Sequence, residues 1–239
     1  MALDKVPLLL VTFASYYVAA TAPNPPAAPQ EISRYPPGDR LLSSFAPAIW
    51  EAVKRLLLLV VFCEIITLVS IHYSASVLSQ TILSVLLRAP IHKSASPSVT
   101  PVFILSLFLL VWGGYMRWAS YRALGRLYTY EVSIRDHHKL VTTGPYSVIR
   151  HPGYIGSAVA STGILLCAFG PGSWMLECGW LDLLWAKIFA ALVIAFKVFC
   201  HFQFIRRTSA EDKMMRAQFG AQWDEWAKNV PYKLVPGIF

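Results

Sequence analysis

Charge is what this chain has least of. Asp, Glu, Lys and Arg make up only 14% of its 239 residues, against 56% hydrophobic, with mean hydropathy +0.50. A water-soluble domain carries roughly a quarter charged residues. That shortage, together with several long apolar runs, excludes a soluble domain and marks a polytopic membrane protein. Metal-spaced cysteine is missing too. Cys63, Cys167, Cys178 and Cys200 stand far apart, without the close pairs a zinc site needs. Three of them lie in apolar runs, where a thiol acts as a small hydrophobe. No G-x-G-x-x-G fingerprint, P-loop or H-E-x-x-H motif occurs. No zinc finger, basic helix or other nucleic-acid module occurs either, so no nucleic-acid partner is expected. Acid is scarcer than base, and the net charge is +8. In a membrane protein such a surplus belongs to cytosolic loops and anionic headgroups.

The apolar runs imply an all-α fold, with about five transmembrane helices and a cytosolic C-terminal amphipathic helix. The first run, residues 6–20, follows only Lys5 and is read as a short membrane helix. Ala20-Thr21-Ala22 leaves a cleaved leader open as the other reading. Residues 23–47 are proline-rich and read as an irregular linker. The second span covers 49–73 and contains Glu64. An intramembrane carboxylate is costly; it is functional, protonated, or paired with a base on a neighbouring helix. Residues 74–87 continue that helix or lie at the interface. The third span, 102–115, is expected to stop at Arg117, Arg122 and Arg126, and its Gly113-Gly114 pair suits a close helix approach. The fourth, 152–169, has a side of small residues over 156–163. A loop over 170–179 precedes the fifth span, 180–204. Trp174, Trp180 and Trp185 suggest an interfacial belt. From Arg206 onward the chain reads as an amphipathic tail. Most Lys and Arg then fall on one side, the linker before the second span, residues 117–150 and the tail, and the positive-inside rule makes that side cytosolic.

Two polar stretches stand out. Residues 137–156 read H-H-K-L-V-T-T-G-P-Y-S-V-I-R-H-P-G-Y-I-G. Gly144-Pro145 is a turn signal, and Pro152-Gly153 a second turn or a helix start. Arg150 and His151 then sit at the mouth of a membrane helix, beside its positive dipole end, a place to hold an anion. An arginine snorkelling to headgroups would occupy the same position. Further on, Arg207 and Glu211 share a helix face at i,i+4, as an ordinary surface ion pair also would.

Residues 143–156, T-G-P-Y-S-V-I-R-H-P-G-Y-I-G, and 207–226, R-T-S-A-E-D-K-M-M-R-A-Q-F-G-A-Q-W-D-E-W, together resemble the isoprenylcysteine carboxyl methyltransferase family. The resemblance covers the chain from about Tyr128. It implies an integral membrane enzyme of the endoplasmic reticulum, using S-adenosyl-L-methionine to esterify the prenylcysteine carboxylate of CaaX-processed proteins or prenylcysteine small molecules. Membrane lipids are its other partners. Residues 1–127 would supply N-terminal transmembrane helices and linkers, and 128–239 the catalytic core with two spans and the tail. Carried over, Arg207 contacts the substrate and Arg150 helps orient its carboxylate. Glu131, His138, Lys139, Leu140, Val141, Tyr146, His151, Pro152, Gly153, Tyr154 and Glu211 hold the cofactor. Glu131 stands where the family often has glutamine, and Ser209 and Ala210 where it often has acids. The N-terminal part is short, so a span of longer relatives is expected to be missing. Without a dinucleotide fingerprint, a soluble Rossmann-type methyltransferase is excluded.

The chemistry fits such residues. Methyl transfer from a sulfonium to a carboxylate joins a cation and an anion, so charge shrinks toward the transition state. A carboxylate with an ordinary pKa near 4 needs no general base. A dry pocket with fixed partners favours the step, and orientation supplies roughly 7–11 kcal/mol. A phospholipid N-methyltransferase would accept an amine and want acid or base there instead of arginine. A sterol-type NADPH reductase is the other enzyme reading, from the ending F-G-A-Q-W-D-E-W-A-K-N-V-P-Y-K. A non-enzymatic lipid-binding protein explains the greasy spans but not the paired motifs.

Overall fold

The computed structural model describes residues 2–25, 40–88, 96–128 and 139–238. The expected site residues Glu131 and His138, and most of the expected linker, lie outside the described residues. Among the described residues the fold is helical, without strands. The helices are α1 (Lys5–Ala20), α2 (Arg40–His72), α3 (Val77–Leu86), α4 (Pro101–Leu124), α5 (Pro152–Phe169), the single turn α6 (Trp174–Glu177), α7 (Leu184–Phe219) and α8 (Ala221–Asn229). Three stretches are long and apolar enough to cross a membrane: Pro101–Leu127, Pro152–Glu177 and Leu184–Phe219. α1 and α3 are apolar but shorter.

Local chemistry sets the helix ends. Thr100 caps α4 by accepting from the Phe103 amide at 3.1 Å, with Pro101 next in line. Pro152 opens α5, where its missing N–H costs nothing. α4 stops at Gly125 and α7 at Gly220, both with positive φ, 52° and 55°.

The tightest packing is α4 on α5, and it is built from absent side chains. A Cβ on Gly113 would lie 2.5 Å from the Ala160 amide nitrogen and 2.7 Å from the Gly156 carbonyl. One on Gly163 would lie 2.8 Å from the Ser106 carbonyl. The backbones therefore meet directly, as the small-residue patterns of both helices predict. Gly114 faces the Ser15 carbonyl of α1 in the same way, at 2.9 Å.

At the far end a buried ion pair ties three segments. Lys5 of α1 meets Glu64 of α2 at 2.5 Å, each side chain 1% exposed. Lys5 also donates to the Gly172 carbonyl at 2.8 Å, and Glu64 accepts from the Trp174 amide at 3.1 Å. Of the three readings open for Glu64, the structure gives the pairing with a neighbouring helix. Nearby, the indoles of Trp174 and Trp180 both donate to the Leu86 carbonyl, at 3.0 and 2.8 Å. Only Trp185 of the expected aromatic belt is left well exposed.

Several boundaries differ from the sequence reading. The expected linker gives way to helix at Arg40, before residue 47. α4 runs past 115 because Arg117 does not reach for water. It is 3% exposed, donating to the Ala19 carbonyl at 2.9 Å and the Gly153 carbonyl at 3.3 Å. α7 likewise continues from the fifth apolar run through Arg206 to Phe219, a stretch without Gly or Pro to break it. The tail helix expected from Arg206 is thus the same helix, and α8 follows it.

Removing one partner of a buried ion pair strands the other charge, which typically costs about 3–5 kcal/mol. Lys5→Met should therefore lower the thermal unfolding midpoint in detergent sharply. Adding Glu64→Gln to it should recover much of the loss. A double mutant no more stable than Lys5→Met would show that the pair does not act as a unit.

Candidate active site

The C-terminal end of α4, the start of α5, the second half of α7 and α8 converge on one cavity of about 180 Å³. Each arrives for a local reason. The 3₁₀ turn Gly144–Ser147 folds the chain back, with Gly144 at φ 62°, and aims Tyr146 inward. Pro152 starts α5 so that His151 stands at its N-cap. The positive-φ turn at Gly220 reverses the chain and lays α8 over the cavity, where the Trp226 indole donates to the Tyr146 carbonyl at 3.2 Å. The tail then runs back past the α5 start. The amides of Arg150 and His151 donate to the Tyr232 and Lys233 carbonyls, both at 2.9 Å.

Two adjacent carboxylates on α7, Glu211 and Asp212, hold these segments together. His151 lies between them, with Nδ1 3.3 Å from Glu211 Oε2 and Nε2 3.0 Å from Asp212 Oδ1. Arg150 Nη1 reaches Asp212 Oδ2 at 3.2 Å. Glu211 Oε1 accepts from Arg207 Nε at 3.0 Å and also from the Tyr154 hydroxyl. Lys233 donates to Ser209 Oγ at 2.8 Å and stands 3.9 Å from Asp212 Oδ2. Burial alone would push the His151 pKa down. The hydrogen bonds and charges of Asp212 and Glu211 outweigh it and raise the pKa above the ordinary histidine value. Only the imidazolium donates from both nitrogens, so the charged ring suits a position between two acids. Burial, helped by the fields of Tyr128 and Glu211, pushes the Tyr146 phenol up, so it stays neutral.

Aromatic rings line the cavity. Tyr154 stacks on Phe204 with centroids 4.8 Å apart and planes at 11°. Trp50, Tyr128, Trp223 and Trp226 complete the walls, with Met214 and Met215. Carboxylates beside aromatic faces suit a cation carrying a flat ring system. A sulfonium nucleoside fits that description. A wider groove of about 820 Å³ lies across the 143–149 segment, against α4, α5 and residues 234–236. Its described lining is largely apolar, with Arg122 and no acid.

Of the residues expected from sequence, Lys139, Leu140, Val141, Tyr146, Arg150, His151, Gly153, Tyr154 and Glu211 all line the cavity. Pro152 is buried behind them as the first residue of α5. Arg207 stands just outside the wall, bonded to Glu211, with its side chain 23% exposed. Sequence reasoning missed Asp212, Arg117, Trp50, Trp223 and Lys233. Arg117 had a usable signal, a charge inside an otherwise apolar helix. Asp212 had none, because sequence spacing does not show that His151 will lie between two adjacent carboxylates.

Residues 105–176 match the family model described as the isoprenylcysteine carboxyl methyltransferase family. Among curated proteins, the chain is similar to protein-S-isoprenylcysteine O-methyltransferase B of Arabidopsis thaliana, 32% identical over 52% of this chain and 55% of that protein. It is also similar to form A of that plant, 30% identical over 52% and 54%. A delta(14)-sterol reductase of Mus musculus is 24% identical over 42% of this chain but 20% of its own length. The chain spans about half the length of the plant relatives it matches. No solved structure matches. The segment matched to that family model carries most of α4, the 143–149 turn and α5, which supply much of the cavity wall.

Proposed function

We propose that the chain transfers a methyl group from S-adenosylmethionine to the C-terminal carboxylate of a prenylated cysteine. One observation carries this reading: two motif blocks some sixty residues apart close over a single cavity through the His151 bridge to Glu211 and Asp212. Lys139, Leu140, Val141, Tyr146, His151, Gly153, Tyr154 and Glu211 would hold the cofactor from the wall, with Pro152 fixing the turn; for Glu131 and His138, outside the described residues, the family resemblance alone supports a cofactor role. When bound, S-adenosylmethionine supplies an electrophilic methyl on a sulfonium. Arg150 and Arg207 flank the acid pair and would present guanidinium groups to the acceptor carboxylate, which needs no base at neutral pH. The stacked rings and the tail over the α5 start would help a bound ligand exclude water, which strengthens such contacts. The apolar groove beside Arg122 offers a surface to membrane lipids.

In this reading α1, the apolar part of α2, α4, α5 and α7 are the five spans. The site and the amphipathic C-terminal helix α8 face the cytosol, and the membrane is that of the endoplasmic reticulum. Residues 128–239 then form the catalytic core, with 1–127 contributing Trp50, Arg117, Leu124 and Leu127 to the cavity. The likeness to a sterol reductase keeps a second reading, an NADPH enzyme. Titration of the detergent-solubilised protein with S-adenosylmethionine and with NADPH separates the two, and NADPH binding alone would overturn the first. Transfer of label only to phosphatidylethanolamine would move it to phospholipid methylation.

Arg207 and Glu211 should part company under mutation. Arg207→Ala is expected to lower esterification of a farnesylated thioether acid by orders of magnitude while leaving S-adenosylmethionine binding intact. Arg207→Lys should rescue poorly, since a point charge does not reproduce the planar fork. Glu211→Gln should weaken cofactor binding first. Near wild-type turnover in Arg207→Ala would remove the case for a carboxylate acceptor.

Topology is checked separately. Tags in the Gly125–Leu127 turn and after Ile238 should both be accessible from the cytosol, and a tag in the Trp180–Asp182 turn should be on the opposite side. Opposite answers from the first two would break the shared site.

A further inference from the structure

Two donors on the cavity wall have no hydrogen-bond partner among the described residues: the buried Trp223 indole Nε1 and Arg150 Nε. Trp223 is 9% exposed and the Arg150 side chain 11%. The rest of the guanidinium is committed: Nη1 to Asp212 at 3.2 Å and Nη2 to the Pro231 carbonyl at 3.0 Å. Its centre lies 5.6 Å from the centroid of the Trp223 ring, so the two groups are neighbours.

Buried N–H groups are rarely left unpaired, because each gives up water and gains nothing. α8 makes the contrast plain. Three residues after Trp223, Trp226 donates its indole N–H to the Tyr146 carbonyl at 3.2 Å. The helix is held by that bond, yet Trp223 keeps its own donor free on the wall. Indole and guanidinium nitrogens donate and never accept, so what they await is an acceptor, and an anionic one is favoured beside an arginine. The nearby acids do not fill this need. Glu211 is engaged by Arg207, Tyr154 and His151, and Asp212 Oδ1 by His151; Asp212 Oδ2, which makes no hydrogen bond among the described residues, is ion-paired with Arg150 Nη1 at 3.2 Å and not with Nε.

We propose that the Trp223 indole N–H and the Arg150 Nε–H form a carboxylate subsite of the cavity, with Trp223 a binding residue in its own right. The proposal rests on the methyltransferase reading, which offers two carboxylates: the amino-acid end of S-adenosylmethionine and the C-terminal carboxylate of the prenylcysteine acceptor. The chemistry is the same for both, and experiment distinguishes them.

Trp223→Phe removes the donor and keeps the ring. A charge-assisted hydrogen bond lost from a buried site lowers affinity about tenfold or more. The full chain in detergent is titrated calorimetrically with S-adenosylmethionine, and KM is measured for a farnesylated thioether acid. A weaker cofactor Kd with unchanged acceptor KM assigns the subsite to the cofactor, and the reverse assigns it to the acceptor. Ligand-free Trp223→Phe should lose only what the smaller ring costs in packing, so the two ligand affinities and not the melting point read the subsite. If the variant fails to fold, wild type answers from the ligand side. S-adenosylmethionine is compared with its decarboxylated form, and the acceptor acid with its primary carboxamide as a competing ligand. One pair should differ by about tenfold or more. Both ligands bound by the variant within twofold of wild type, or both pairs bound alike by wild type, overturn the subsite. Wild type that binds no S-adenosylmethionine overturns the methyltransferase reading as well, a distinct result.

Discussion

The direct backbone contact of α4 with α5 is the constraint from which the rest follows. Gly113 and Gly163 bring the two backbones against each other, and Gly156 makes room for the Cβ of Met116 and the Cγ of Arg117. Side-chain packing tolerates small shifts, but a contact of peptide on peptide does not. It therefore fixes the rotation and height of α5 against α4. That fixed height puts Arg117 over Gly153 and Gly156, where the guanidinium reaches both the α5 start and the end of α1. The mouth of α5, with His151 and Tyr154, is then held where the carboxylates of α7 can meet it.

A second constraint is charge satisfaction in a chain that has little charge to spend. Two buried ionic clusters join partners across long sequence gaps. Lys5 answers Glu64 at one end, and Arg150 and His151 answer Asp212 and Glu211 at the other. Such pairs are weak sources of net stability, but a wrong partner leaves a bare charge in an apolar place. They act as registration marks for helices whose greasy faces alone would slide.

Much of this was legible in sequence, and what was hidden had physical reasons. The start and end of α5 could be read because Pro152 and Gly170 punctuate its apolar run. The small-residue face of 156–163 announced its close partner. Arg207–Glu211 and the His151 turn could be read from spacing together with the family likeness. α4 and α7 run on as helix past the expected span ends at 115 and 204, because arginine need not face water. Arg117 finds carbonyl oxygens inside the protein instead, and sequence does not say which carbonyls a fold will offer. Trp223 and Asp212 stayed hidden for a related reason. Their roles depend on the reversal at Gly220 and on the return of the tail past Arg150, which no local pattern encodes.

α7 is one unbroken helix of 36 residues, on the order of 54 Å long at 1.5 Å per residue. A hydrocarbon core is only about 30 Å thick. The apolar first part and the acid-bearing last part are therefore one rod, with Glu211 and Asp212 standing on it past the apolar stretch. Arg150 and His151 clamp that end to the mouth of α5. With no Gly or Pro along the way, the reach from apolar stretch to carboxylates is set by helix rise and not by a flexible joint.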